Sequence, residues 1–313
     1  MTAPRLCVAF AGTFSATLEP PVRARLAVPC DVVVADEAGI VSRLADVDVL
    51  VTLAFTREMA GAARRLKLVQ VPGAGLDRIE RSALPSGAWL ANAYGHEVGI
   101  AEYVIGAMLA LTRDLVRIDA ALRGGTWESQ WAVGAPTPPA WPELRGKTLG
   151  ILGYGRIGQA LAQRARAFDM TVLPFRRGDD LDDVLRRADY LAITLSLNET
   201  TRGLIGAREL SLMKPTAFLV NVARAQIVDE DALYQALAKK TITGAALDVW
   251  YRYPTTSGPT FPARQPFHDL PNVLMTPHVS GWTDGMLNAR AHVIAENIER
   301  VARGEPPVNV IAS

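Results

Sequence analysis

The chain has 313 residues and a formal net charge of +1 at pH 7, from 33 lysines and arginines against 32 aspartates and glutamates. This balance excludes the strong basic field of a nucleic-acid-binding protein and the charge excess of a disordered chain. Two cysteines exclude a disulfide scaffold, and no apolar run approaches the roughly 18 residues of a membrane span. At about 150 residues per domain, we expect two domains in a cytoplasmic protein that binds neither nucleic acid nor membranes, and no motif predicts a metal site.

The beginning of the chain alternates short β-branched runs with longer amphipathic segments. Its first apolar run is too short for a signal peptide and predicts a first strand. Strands are predicted at residues 6–10, 32–35, 49–53 and 68–71. The segments between them are rich in arginine, alanine and leucine and favour helices, so the pattern predicts an α/β fold with a parallel sheet covered by helices.

The middle of the chain carries a long apolar helix and then a break. Residues 100–116 are apolar on more than one face, which predicts a helix buried between domains or subunits. Residues 124–142 then combine glycines, four prolines and the tryptophans Trp127, Trp131 and Trp141. Because aromatic side chains need a surface to pack on, we predict an ordered arm of a homodimer here, not a flexible linker.

The strand–helix alternation resumes after Lys147. Strands are predicted at residues 149–152, 171–175, 190–194, 218–221, 244–249 and 273–275. Helices are predicted at 157–168, at 231–240, where an acidic start and a basic end suit the helix dipole, and at 285–303. The last helix is expected to fold back on the N-terminal domain.

A glycine motif, G-x-G-x-x-G, joins a predicted strand to the helix that follows it. Gly153 permits the tight turn, Gly155 lets the backbone approach a pyrophosphate, and Gly158 lets helix and strand pack closely. Arg156 and Ile157 begin the helix, whose free N–H groups and positive dipole end suit phosphates. The flanking strands and helix make the motif specific, so these five residues are predicted to bind a dinucleotide.

The end of the next strand indicates which dinucleotide is bound. An NAD site usually places Asp or Glu about 20 residues further on, where it holds the ribose 2′-hydroxyl. Here Arg176 takes that position and Arg177 follows it. Because a guanidinium suits a 2′-phosphate, NADP(H) is the predicted cofactor, with NAD(H) as the alternative. Asp179 and Asp180 follow closely and would weaken this preference.

Five ordered motifs carry a resemblance to a known family. They are QVPGAGLD at 70–77, LGYGRIG at 152–158, MKPTAFLVNVAR at 213–224, GAALDV at 244–249 and TPHVSG at 276–281. The chain resembles the D-isomer-specific 2-hydroxyacid dehydrogenases, which include glyoxylate/hydroxypyruvate reductases and phosphoglycerate, formate and phosphite dehydrogenases. The resemblance covers most of the chain, from about residue 49 to residue 297.

The resemblance implies two Rossmann-like domains with parallel sheets and an active site in the cleft between them. The substrate-binding domain is then discontinuous, formed by residues 1–97 and 285–313. The dinucleotide-binding domain is residues 98–284 and includes the arm loop at 124–142. The family is usually dimeric, which agrees with the homodimer predicted from the arm.

The resemblance also implies catalytic and substrate-binding roles. His278 is the implied acid/base, because imidazole can give the proton that carbonyl reduction requires and take it back. Arg224 is implied to bind the substrate carboxylate or carbonyl, since its planar fork can hold two oxygens. The backbone N–H groups of Gly73, Ala74 and Gly75 are implied to hold the substrate carboxylate as a small anion nest.

Further residues of the same motifs are implied to contact the cofactor or the substrate. Asp248 resembles the residue that holds the nicotinamide carboxamide, and Ala223 and Gly281 join the predicted cofactor-binding set. The other three histidines lack a comparable motif and receive no catalytic role. Candidates for an aromatic wall around the substrate are Phe55, Trp127, Trp131, Tyr251 and Trp282.

One position departs from the family pattern. Many members carry a glutamate five residues after the aspartate, paired with the histidine, and here that position is Tyr253. A carboxylate favours imidazolium by its charge, and a neutral tyrosine does so less. Three possibilities are open: Tyr253 orients His278 through its hydroxyl, another acid such as Asp269 reaches the histidine, or the proton step is impaired.

These features define one preferred function and two alternatives. The preferred function is reduction of a small 2-keto acid such as glyoxylate or hydroxypyruvate by an NADP(H)-dependent dehydrogenase. The missing glutamate and the Asp-Val-Trp context leave a formate- or phosphite-like anion dehydrogenase as an alternative. A cofactor-sensing scaffold without catalysis is the other, although the relatives of that kind retain the glutamate.

Overall fold

The computed structural model of the protein describes residues 5–311, which divide into two compact units. One unit is formed by the chain up to His96 together with the segment from Trp282 onward, and the other is Glu97–Gly281. The predicted boundaries lie at 97/98 and 284/285. The second boundary falls earlier than predicted, because Trp282 packs edge-on against Phe14 of the first unit at a ring-centroid distance of 5.7 Å.

The first unit is built on a five-stranded parallel sheet. Its strands are β1 (Leu6–Ala11), β2 (Cys30–Ala35), β3 (Val49–Thr52), β4 (Leu68–Gln70) and β5 (Trp89–Ala91), in the order β2-β1-β3-β4-β5. Its α-helices are α1 (Thr13–Arg23), α2 (Arg57–Ala62) and α9 (Asp284–Ala302). Helix α9 buries Ile294 and Ile298 in one core with Leu18 of α1, which confirms that the last helix folds back on the N-terminal part of the chain.

The second unit is built on a six-stranded parallel sheet. Its strands are β6 (Thr148–Leu152), β7 (Thr171–Phe175), β8 (Tyr190–Ile193), β9 (Phe218–Asn221), β10 (Gly244–Leu247) and β11 (Val273–Met275), in the order β11-β10-β9-β8-β6-β7. The two parallel sheets confirm the predicted fold class. Strand β6 lies between β7 and β8, and such a switch in strand order is where α/β sheets bind ligands, at the carboxyl ends of the strands.

The helices of the second unit differ from the prediction at one place. They are α3 (Glu97–Thr112), α4 (Leu115–Arg123), α5 (Arg156–Ala167), α6 (Leu181–Arg187), α7 (Ala207–Leu212) and α8 (Glu230–Ala238). The single helix predicted at 100–116 is interrupted, because Asp114 adopts a left-handed φ of 50° between α3 and α4. Helix α3 packs Ile100, Val104 and Met108 into the core of its own unit.

The predicted arm, residues 124–142, contains neither helix nor strand. Trp127 and Trp131 are 61% and 77% exposed, and Trp141 is also exposed. The segment therefore presents a large aromatic surface in the isolated chain, and its role in a homodimer stays a prediction.

Two further structural findings concern the part of the chain between residues 5 and 311. No helix there combines the length and the apolar character needed to cross a bilayer. No group of three or more histidine, cysteine, aspartate or glutamate side chains there is placed to hold a metal ion.

Candidate active site

The glycine motif forms the turn between β6 and α5, and its geometry fits a dinucleotide. Gly153 has a φ of +99°, and a Cβ on Gly158 would lie 2.3 Å from the carbonyl oxygen of Gly153, so only glycine fits there. At Gly155, by contrast, no described atom outside the adjoining residues lies within 4 Å of the Cβ position. The open backbone and the first-turn N–H groups of α5, which have no acceptor within the helix, suit a pyrophosphate.

Arg176 lies beside this turn. The N–H of Gly153 donates to the carbonyl of Phe175, 3.2 Å away, so the end of β7 is held against the glycine motif. The guanidinium carbon of Arg176 lies 4.8 Å from the centre of the Tyr154 ring, a cation–π distance. Asp179 accepts a hydrogen bond from the backbone N–H of Arg176 at 2.7 Å. An arginine, stacked on the motif itself, thus occupies the position that an acidic residue holds in NAD sites.

Three neighbouring strands end at a second group of predicted residues. Strands β9, β10 and β11 are adjacent and parallel, so their carboxyl ends share one edge of the sheet. Arg224 follows β9, Asp248 follows β10 directly and His278 follows β11. Since strands lie about 4.8 Å apart, β9 and β11 are about 10 Å apart. The fold therefore brings the predicted acid/base and the predicted substrate-binding arginine to the same edge.

His278 lies in a strained turn and is hydrogen-bonded to Tyr253. Its φ of 58° is in the left-handed region, which costs a non-glycine residue about 1–3 kcal/mol and is typical of functional sites. Its Nδ1 lies 2.8 Å from the Oη of Tyr253. The N–H of Trp250 donates to the same Oη at 3.4 Å. This geometry favours the first of the three possibilities for Tyr253, orientation of the histidine through the hydroxyl.

A tyrosine hydroxyl suits both charge states of the imidazole. It can donate to a neutral Nδ1 and accept from a protonated one, whereas a carboxylate can only accept. Asp269, the other acid considered, lies 3.6 Å from His268. Tyr253 therefore gives His278 a hydrogen-bond partner that carries no charge.

Asp248 organises the turn that carries His278. Its side chain is completely buried, and its two oxygens accept hydrogen bonds from the hydroxyl of Thr276 at 2.6 Å and from the N–H groups of Val279 and Ser280, each at 2.8 Å. Burial raises the pKa of Tyr103, which stays protonated and donates to Thr276 at 2.6 Å. Asp248 thus holds the strained turn in place, and its contact with a nicotinamide stays a prediction.

Hydrogen bonds from a side chain at the end of β9 position Arg224. The side chain of Asn221, which is buried, donates to the carbonyl of Arg224 at 3.0 Å and accepts from the N–H of Ala223 at 3.1 Å. One guanidinium nitrogen of Arg224 donates to the carbonyl of Ala223 at 2.9 Å. The main chain therefore holds one nitrogen of the guanidinium, and the end of β9 fixes the position of the whole group.

The predicted anion nest lies at the end of β4 in the first unit. The carbonyl of Gly73 accepts from the N–H of Ala93 at 3.2 Å, and the carbonyl of Ala74 accepts from the side chain of the buried Asn92 at 3.2 Å. Peptide planes carry N–H and C=O on opposite sides, so the N–H groups of Ala74 and Gly75 face away from these partners. Neither N–H donates to an acceptor within the described chain. The turn can therefore receive an anion.

Several site residues had no sequence signal of their own. Asn92, Asn221, Thr276 and Trp250 act through hydrogen bonds to residues that the motifs identify; the indole of Trp250 donates to the carbonyl of Thr276 at 2.8 Å. Of the remaining predicted cofactor residues, Ala223 is buried and Arg177 is exposed, and Gly281 lies one residue after Ser280.

Two candidates for the aromatic wall are wrong. Phe55 is completely buried in the core of the first unit. Tyr251 donates its hydroxyl to the carbonyl of Val228 at 2.9 Å, and burial raises its pKa, so it is a structural residue. Trp282 is 47% exposed and stays a candidate.

The second unit combines a turn that suits a dinucleotide with a sheet edge that carries a histidine and an arginine. This combination defines a nicotinamide-dependent oxidoreductase. The model of the family described as "D-isomer specific 2-hydroxyacid dehydrogenase, NAD binding domain" matches residues 105–280. The chain belongs to this family, which confirms the resemblance found in its motifs.

Relatives with assigned activities extend the match beyond this unit. A glyoxylate reductase from Thermococcus litoralis is 32% identical over 290 residues, which are 87% of this chain and 86% of that protein. A D-3-phosphoglycerate dehydrogenase from Methanocaldococcus jannaschii is 34% identical over 87% of this chain, which spans about half (53%) of that longer protein. Among solved structures, an acyclic imino acid reductase (Bsp5) in complex with NADPH and D-Arg matches 98% of this chain and 100% of its own, with a TM-score of 0.82 and 25% identity.

Proposed function

We propose that the protein reduces a small 2-keto acid, such as glyoxylate or hydroxypyruvate, to the 2-hydroxy acid with NADPH. The observation that carries this proposal is the placement of Arg224 and His278 at the carboxyl ends of β9 and β11, in the unit that also holds the dinucleotide turn. The relatives named glyoxylate reductase support the choice of substrate class.

The chain's own residues account for binding and proton transfer. When bound, the nicotinamide supplies the hydride for the carbonyl carbon. Arg224 binds the substrate oxygens and stabilises the negative charge that develops on the carbonyl. Tyr253 contacts His278 at Nδ1, and we assign to Nε2 the proton that is given in reduction and taken back in oxidation.

A substrate panel tests the function. Purified protein is assayed for NADPH and NADH oxidation with glyoxylate, hydroxypyruvate, pyruvate and larger 2-keto acids, and for the reverse reaction with D-glycerate, formate and phosphite. We expect turnover of one or more keto acids, faster with NADPH. Turnover of formate or phosphite alone supports an anion dehydrogenase instead, and tight cofactor binding without any turnover supports a scaffold.

Replacing Arg176 with alanine tests the cofactor preference. A charge-assisted bond to the 2′-phosphate contributes about 1.5–3 kcal/mol, so NADPH should bind about 10- to 100-fold more weakly while NADH affinity changes little. The dissociation constants are measured by calorimetric titration of each cofactor. Arg187→Ala, which removes an exposed arginine of α6 that pairs with Asp183, is the matched control. Equal weakening of both cofactors by Arg176→Ala contradicts the assignment.

Reduction of imino acids is a second candidate, favoured by the uncharged hydroxyl of Tyr253 at Nδ1 of His278. An iminium carries its additional proton on nitrogen before it is reduced, so it needs less from a proton donor than a ketone does. The structural neighbour named acyclic imino acid reductase supports this candidate. Adding methylamine or ammonia to the keto-acid assays separates the two: faster NADPH oxidation with the amine, and an amino acid as product, favours imine reduction.

We also propose that the protein is a homodimer joined through α4 and the arm at 124–142. In the isolated chain this surface exposes Leu115, Val116, Leu122, Trp127 and Trp131. Large apolar side chains exposed together in one segment are typical of interaction sites. Sedimentation equilibrium should give about twice the chain mass of 33.7 kDa, and Trp131→Glu should weaken the dimer. A mass near one chain at micromolar concentration contradicts this proposal.

The state of the cysteines supports a reducing compartment. Cys7 and Cys30 are both free, and burial raises the pKa of each thiol, which makes both less reactive. We propose a cytoplasmic location, with which two unpaired thiols agree.

A further inference from the structure

We propose that Arg290 is a second substrate-binding arginine, which holds the substrate carboxylate together with the N–H groups of the Gly73–Gly75 turn. This inference rests on the proposed reduction of an anionic substrate. It concerns the first unit alone, to which the turn and helix α9 both belong.

Arg290 is a buried cation beside the turn. The residue is only 8% exposed. One terminal guanidinium nitrogen lies 3.9 Å from the position that a Cβ would take on Gly73, and the Cδ2 of Leu53 lies 3.8 Å from the same position. The missing side chain of Gly73 therefore leaves space that a charged nitrogen and an apolar carbon both border.

Aromatic packing fixes the guanidinium in this place. Its central carbon lies 5.4 Å from the centre of the Phe14 ring, within the range of a cation–π contact. Phe14 is itself packed against Trp282, with ring centroids 5.7 Å apart. The Phe14 ring thus restricts the side chain of Arg290. Less conformational entropy is therefore lost when an anion binds.

The turn supplies further donors in the two residues after Gly73. The N–H groups of Ala74 and Gly75 donate to no acceptor in the described chain and face away from Asn92 and Ala93, as described above. Successive N–H groups of this kind form a concave anion site. A planar carboxylate matches such a site, because a guanidinium and two backbone N–H groups can share its two oxygens.

The burial of Arg290 determines how strongly this arginine contributes to the affinity for an anionic substrate. A charge withdrawn from bulk water interacts with an anion at a lower effective dielectric and is screened less by salt than a surface arginine is. We therefore assign Arg290 a role in substrate affinity. A role in proton transfer is not assigned, since an arginine stays protonated throughout.

Calorimetric titration of oxamate, a carboxylate analogue of a 2-keto acid, into the NADPH-loaded protein tests the inference. Arg290→Met should weaken oxamate about 30-fold or more, as expected for removing one partner of a buried charged pair, and Arg290→Lys should fall between it and the wild type. NADPH affinity, measured in the same way, should change less than about twofold. Arg300→Met, which removes a partly exposed charge near the other end of the same helix, is the control and should leave oxamate binding unchanged.

A second variant covers the case in which Arg290→Met does not fold. Gly73→Ala adds a methyl at ordinary contact distance from Leu53 and Arg290, so the chain should fold while the space beside the guanidinium is reduced. We expect about 10-fold weaker oxamate binding from this loss of fit. Unchanged oxamate affinity in a folded Arg290→Met or Gly73→Ala variant overturns the inference.

The two proposals fail separately. If the wild type turns over keto acids and Arg290→Met binds oxamate as the wild type does, only the inference about Arg290 is wrong. If oxamate binding depends on Arg290 but no keto or imino acid is turned over, the site binds carboxylates and the proposed reaction is wrong. In the expected case KM for the keto acid rises in Arg290→Met by a larger factor than kcat falls.

Discussion

Replacing Arg224 with lysine is expected to lower kcat/KM for the keto acid about 100-fold or more, because lysine keeps the charge and loses the planar fork that can hold two oxygens. In the structure this arginine is tethered to the carbonyl of Ala223 and its backbone is held by Asn221. A flexible ammonium lacks this fixed geometry. Steady-state kinetics over a range of keto-acid concentrations measure the loss, and both kcat and KM should be affected.

The control for Arg224→Lys is Arg202→Lys, at an exposed arginine between β8 and α7 of the same unit. This control should keep kcat/KM within about twofold of the wild type, as surface substitutions usually do. NADPH affinity of Arg224→Lys should also be close to that of the wild type, which separates substrate binding from cofactor binding. Kinetics within about threefold of the wild type mean that Arg224 does not contact the reacting oxygens.

The parallel sheets could be predicted because their strands are buried on both faces. All four residues of β3 and of β8 are buried, and such strands are near-continuous apolar runs in the sequence. Strand β5 has three residues, too few for a run or an alternation to be recognised. The break at Asp114 is also hidden, since nothing in the apolar pattern of the helix predicts a left-handed residue.

The residues of the site also fall into two groups: those that short sequence motifs identify, and those that are distant in sequence from the residues they support. The glycine turn, Arg224 and His278 lie in short motifs whose spacing is fixed by a strand end, so the sequence identifies them. Their supports come from elsewhere: Asp248 binds a turn about 30 residues further on, and Asn92 holds Ala74 across 18 residues. Arg290 lies on a helix near the end of the chain, beside a glycine near its beginning. Only folding brings these residues together.

His278→Ala is expected to lower kcat/KM for keto-acid reduction about 1,000-fold, in the usual range for loss of a general acid. NADPH affinity should be unchanged, because the dinucleotide turn after β6 does not depend on the turn after β11. Stopped-flow or steady-state assays measure the loss, and calorimetric titration measures the cofactor affinity. A loss of less than about tenfold means that water or another side chain supplies the proton.

Tyr253 variants then test whether the bonded imidazole is the group that titrates. In Tyr253→Glu a carboxylate near Nδ1 favours imidazolium, so the apparent pKa in the pH profile of kcat/KM should rise. Reduction needs the protonated ring, so its activity should persist to higher pH, and the onset of alcohol oxidation, which needs the neutral ring, should move to higher pH as well. Tyr253→Gln differs from this variant by the charge alone and should show no such rise. Identical profiles for the two variants mean that residue 253 does not act on the proton donor, whatever its distance from His278.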